Sequence, residues 1–227
     1  MRKAMKLIAL NMLRVVAVCT LSAVMASGSN AATRSTQYGG QAKEQSADKN
    51  KQAGPSEAEQ KAVAKIEAAP DLAAKIAAAS EFVKKYPKST MRSKVVTYVV
   101  LEANKIDDAA QRVTQLENAQ AAFKEPSDAQ VIDPILIEAY FTQNRFDDLF
   151  RVASEYLARN QTDLAILTRV SLIGVDQAKQ RNPKFAAQTQ QYGVKAIEII
   201  ESGKKPDAFD DAKWTEYQTR WLPQLYQ

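Results

Sequence analysis

Histidine is absent from all 227 residues, and Cys19 is the single cysteine. The first absence removes the commonest general base at neutral pH. The second excludes an intrachain disulfide and any thiolate zinc site. Glycine is missing from Glu59 to Ile173, so no phosphate-cradling loop or nucleophile elbow falls in that span, and none occurs elsewhere in the chain. Aromatic residues make up only 7% of the chain against 45% hydrophobic residues in total, which points to a core of alanine, leucine, isoleucine and valine. No apolar stretch reaches the ~20 residues of a spanning helix, and no run alternates as a strand would.

The charge is uneven. Of 31 basic residues, Arg2, Lys3, Lys6 and Arg14 lie in the first 31 positions, which hold no acid; the rest of the chain carries 27 basic against 26 acidic residues. The basic balance therefore belongs to the leader and does not indicate a nucleic-acid partner. "MRKAMK", the apolar run "VVAVCTLSAVMA" over 15–26 and the small residues "SGSNAA" read as a signal peptide over 1–31, with cleavage after Ala26 or Ala31. Cys19 sits inside the apolar run behind Val18, which does not suit a lipoprotein signal. A periplasmic or secreted protein with no stable membrane span is expected.

Residues 32–56, rich in Gln, Ser, Lys and Gly, read as a flexible linker, because such a composition buries too little apolar surface to offset its ordering entropy. From 57 to 227 the texture is helical. "SEAE" has capping-box spacing, Pro70, Pro87 and Pro126 end apolar-periodic runs, and Asn182-Pro183 resembles an N-cap followed by proline at N1. Helices are expected over 57–68, 71–86, 89–105, 107–123, 128–143, 146–159, 163–181, 183–202 and 209–226. The fold class is all-α.

Two turns match each other. "NKIDDAA" and "NRFDDLF" share an asparagine, a basic residue, an apolar residue and an aspartate pair, and they begin 40 residues apart at Asn104 and Asn144. With Leu136, Tyr140, Phe146, Leu149, Ala153, Tyr156 and Leu157 as one set of packing positions, and Val96, Val100, Ala109, Val113 and Leu116 as the preceding set, the chain resembles the tetratricopeptide repeat, a helix pair of 34 residues. "EFVKKYPKS" ends an earlier unit, and Ile173-Gly174 stands where another would carry its small pair. The resemblance covers about 57–203 and implies a right-handed α-solenoid of antiparallel helix pairs.

Three aspartate pairs, Asp107-Asp108, Asp147-Asp148 and Asp210-Asp211, are the candidates for acid–base or metal chemistry. Each falls at an expected helix start, where backbone N–H groups and the dipole call for an acceptor, so capping is the expected role. No cofactor or metal is expected, and no catalysis. The alternatives are a peptidoglycan- or small-ligand-binding module, or a hydrolase running on two carboxylates.

The repeat register directs Lys94, Tyr98, Leu101, Glu138 and Phe141 to the concave face, where a solenoid binds proteins or peptides. In "DDAKWTEYQTRWLPQLYQ", Trp214, Tyr217, Trp221 and Leu225 make an apolar face, expected either to cap the array or to self-associate or dock a missing repeat. The leader carries its own test. Protein isolated from the native host should begin near Ser27 or Ala32 by intact mass, and a diacylglyceryl group on Cys19 would overturn both the signal and the localisation.

Overall fold

The computed structural model describes residues 54–227; the leader, and the linker up to residue 53, lie outside the described residues. Nine α-helices follow: α1 Glu57–Glu67, α2 Leu72–Lys85, α3 Arg92–Asn104, α4 Ala109–Ala122, α5 Pro126–Thr142, α6 Phe146–Arg159, α7 Leu164–Lys179, α8 Ala186–Glu201 and α9 Asp211–Leu225. Among the described residues there is no strand. Every expected helix is present with its ends shifted by at most three residues.

The starts are chemical. Ser56 and Glu59 form the capping box of α1: Glu59 accepts from the Ser56 N–H at 2.7 Å while Ser56 Oγ accepts from the Glu59 N–H at 3.3 Å. Asp71, Asp108, Asp163 and Asp210 cap α2, α4, α7 and α9, each accepting an N–H three residues on at 2.8 to 3.1 Å. Capping thus explains two of the three aspartate pairs. At α6 the cap position is Arg145 with no side-chain bond, and the third pair lies inside the first turn. There Asp148 pairs with Arg145 at 2.6 Å and Asp147 with Lys184 at 2.6 Å.

Two prolines behave differently from the expectation. Pro126 opens α5 at its first turn, where the missing N–H has no helical partner to lose. Pro183 starts a short 3-10 turn, Pro183–Phe185, and α8 begins only at Ala186; Asn182 does not cap it but donates its amide to Gln177 at 3.1 Å.

Two helix ends use the left-handed conformation at a residue with a side chain. Asn144 has φ 56° and Arg181 φ 64°. After α5 the Arg145 N–H reaches the Tyr140 carbonyl at 3.0 Å and the Asn144 N–H reaches Phe141 at 3.1 Å; after α7 Asn182 reaches Gln177 and Arg181 reaches Ala178, both at 2.9 Å. These are Schellman closures. Asn104, the counterpart of Asn144 in the matching turn, ends α3 without entering the left-handed region.

Each helix packs on the next along the chain, and α2 also meets α4, α3 meets α5, and α7 meets α9. Val96, Val100, Leu116, Leu136, Leu149 and Ile200 are fully enclosed between them. The closest approach joins α7 to α8. A Cβ at Gly174 would lie 1.7 Å from Thr189 Oγ1 and 2.8 Å from its Cβ, so only glycine fits there. Gly174→Ala is therefore expected to destabilise the domain by about 1–3 kcal/mol in urea unfolding. Arg181→Gly, at an exposed left-handed residue, should instead stabilise it by about 1 kcal/mol. The reverse order would place the strain elsewhere.

Candidate binding surface

The five residues assigned to one face by repeat register fall into two clusters. On α3, Lys94, Tyr98 and Leu101 follow one another at helical spacing; Lys94 is exposed, Leu101 is 48% exposed, and Tyr98 is half-buried against the core. Lys75 of α2 donates to the Tyr98 hydroxyl at 2.8 Å and pairs with Glu102 at 3.2 Å. The bond to Tyr98 first, then Glu102, raises the Lys75 ammonium above its ordinary pKa. Lys105, then Lys75, hold the Glu102 carboxyl below the usual carboxylate range.

The second cluster joins α5 to α7. Arg169 donates to both oxygens of Glu138, at 2.7 and 2.9 Å, and its guanidinium lies 4.3 Å from the centre of the Phe141 ring. Phe146 meets the same ring edge-on at 6.5 Å. Phe141 is thus half-buried, held by a stacked cation, and not a free-standing side chain. The described contacts do not link the two clusters directly. Lys75, Glu102 and Arg169 were not among the residues picked from the sequence. The available signal was opposite charge at a separation near one repeat: 27 residues from Lys75 to Glu102 and 31 from Glu138 to Arg169.

Trp214 and Trp221 are covered by their own chain, at 7% and 6% exposure, the arrangement that the capping alternative for α9 calls for. Trp214 and Tyr217 stack at 6.0 Å with Phe209 edge-on to both. Tyr217 Oη lies 2.9 Å from the Thr168 hydroxyl and 3.2 Å from the Leu164 carbonyl, which ties α9 to α7. Burial pushes the Tyr217 phenol well above its ordinary pKa.

Two open grooves lie away from these residues. One, of about 750 Å³, runs between α6 and α8; the other, of about 510 Å³, lies over the α7–α8 pair beside Leu225. Glu198 is the single acidic side chain lining the first and none lines the second, so neither of these two grooves offers the carboxylate pair of a glycosidase. Among the described residues no cluster of His, Cys, Asp or Glu could hold a metal, and no helix is long and apolar enough to cross a membrane.

The two buried acids hold the helices that carry these surfaces. Asp128 and Asp133, each 2% exposed, both sit on α5. Asp128 receives Arg92 Nε and Nη2 of α3 at 3.0 and 2.6 Å. Asp133 receives Gln120 of α4 and Arg159 of α6, both at 2.8 Å. The bond to Asp128 raises the Arg92 pKa. Asp133 differs: burial pushes its carboxyl above the usual range, overriding Gln120 and Arg159. Its cation is 39% exposed and screened by water, whereas Arg92 is 16% exposed.

Comparison of the chain with protein-family models, curated proteins and solved structures finds no match.

Asp128→Asn should cost about 3 kcal/mol in urea unfolding, since Arg92 would keep a poorly hydrated, uncompensated charge. Asp133→Asn should cost less than about 1 kcal/mol at neutral pH, because the fold already disfavours that carboxylate. The sign follows from the raised pKa. The folded state holds this proton more tightly than the unfolded chain, so stability from Asp133 rises as pH falls through its folded pKa towards about 4, and is lost as pH rises. The native protein should therefore gain on Asp133→Asn when urea unfolding is repeated at successively lower pH towards about 4.

Proposed function

We propose that this chain is an exported, non-catalytic adaptor: a degenerate tetratricopeptide-like solenoid, right-handed, whose concave surface on α3, α5 and α7 binds protein or peptide partners. The packing of each helix on its neighbour, and of α2 on α4 and α3 on α5, supports a stack of helix pairs. Ion pairs from Arg92 to Asp128 and from Glu138 to Arg169 recur at separations of 36 and 31 residues, close to one repeat. The leader's composition supports export.

The observation that carries the reading is the α3 face. Leu101, an aliphatic side chain left half open to water, stands one turn from Tyr98 and two from the exposed Lys94. The open half of that side chain is available to a partner, and enclosing it is worth about 1 kcal/mol. Beside it on α3, Glu102 is held by Lys75 at 3.2 Å.

Two surface variants test this. The domain is immobilised, exposed to envelope extract of the native host, and the bound proteins are quantified by mass spectrometry. At least one protein should be enriched on the native domain and fall about tenfold on Leu101→Asp or Lys94→Glu, with melting temperatures unchanged. Equal capture by the native domain and both variants would remove α3 from the binding surface.

A further inference from the structure

The second helices of successive units do not all pack on one another. α2 and α4 pack directly. α6 and α8 are instead bridged by side chains: Phe150 stacks on Phe185 at 4.1 Å, then Ser154 meets Gln188 at 2.8 Å and the Tyr192 hydroxyl at 2.9 Å. The partners follow in the same order along both helices, so α6 and α8 run in the same direction. Past Ser154, among the described residues, no hydrogen bond joins them, and the space between becomes the groove of about 750 Å³.

We propose that this wedge is a binding site for a short, extended and uncharged stretch of polypeptide; the proposal rests on the peptide-recognition reading and locates a second surface for it. Its floor is apolar: Leu157 and Leu167 belong to the core, and Val194 stands at the wall 50% exposed. Three glutamines line it, Gln161 in the turn after α6 and Gln190 and Gln191 on α8. All three are exposed, and none of their side-chain amides makes a hydrogen bond within the described residues.

A carboxamide offers both a donor and an acceptor, which is what a peptide group requires. An extended segment carries unpaired N–H and C=O groups along its length, whereas a helix satisfies its own and gains nothing from such walls. The charges at the mouth cancel, Lys195 lying 3.5 Å from Glu198, so the lining favours a neutral occupant. From Tyr192 to Glu198 the α8 wall is about 9 Å long at ~1.5 Å per residue, room for about three extended residues. An aliphatic side chain in the middle of those three would reach the floor.

The probe is the capped peptide acetyl-Gly-Ser-Leu-Ala-Ser-Gly-amide, titrated into the ¹⁵N-labelled domain and followed on the side-chain amide signals of the glutamines. Saturable shifts of Gln161, Gln190 and Gln191 are expected, with a Kd of about 1 mM or tighter. Binding should weaken about tenfold in Val194→Arg, weaken similarly when aspartate replaces the leucine of the probe, and be unchanged in Leu101→Asp. No saturable shift at these glutamines, or binding indifferent to Val194→Arg, overturns the site. Shifts confined to Leu101 and Tyr98 and lost in Leu101→Asp also overturn it, while leaving the α3 surface standing.

Discussion

Two carboxylates buried along α5 set the arrangement of its neighbours. An acid withdrawn from water must find donors, and Asp128 and Asp133 find theirs on α3, α4 and α6. A turn and a half of helix thus specifies where three others lie. Apolar contacts alone tolerate sliding, since leucine packs against many neighbours; a guanidinium engaged at two oxygens does not. Rigidity at α5 is passed on through Glu138 and Arg169 to α7. The two acids are nonetheless unlike in energy. Arg92 is itself enclosed and has few other partners, while Arg159 is open to water and gives Asp133 a weaker counter-charge.

What was legible in the sequence was local. The capping box at Ser56, the caps at Asp108 and Asp210, the lysines at the end of α2 and the absence of glycine through α1–α6 all act within one or two turns, where residue order is spatial order. Leu149, Ala153, Tyr156 and Leu157, chosen by spacing, are all buried. What was illegible depends on partners far along the chain. Asp128 and Asp133 look like ordinary surface acids until Arg92 and Arg159 are brought beside them from 36 and 26 residues away. Phe141 looked free because the register gives direction and says nothing of a cation from the next pair. For Trp214 and Trp221 periodicity shows an apolar face without showing what covers it, so capping and self-association read alike.

The same limit explains the groove between α6 and α8. Half of its lining is glutamine, alanine and serine, residues that carry no motif and no periodic signal. At its closed end Phe150 of α6 and Phe185, just before α8, lie ring on ring, nearly parallel with an angle of 3° between their planes. Hydrogen bonds through Ser154 extend the closure by one turn and no further.

The chain holds two tryptophans, and both lie buried on α9. Indole emission shifts as the ring meets water, so the intrinsic fluorescence of this protein is a spectroscopic report on one helix, silent about the other eight. Far-ultraviolet dichroism weighs all of them alike. A denaturation curve followed by both signals therefore separates the release of α9 from the collapse of α1–α8: coincident curves make the terminal helix part of one cooperative unit, and an earlier fluorescence change makes it a separable latch.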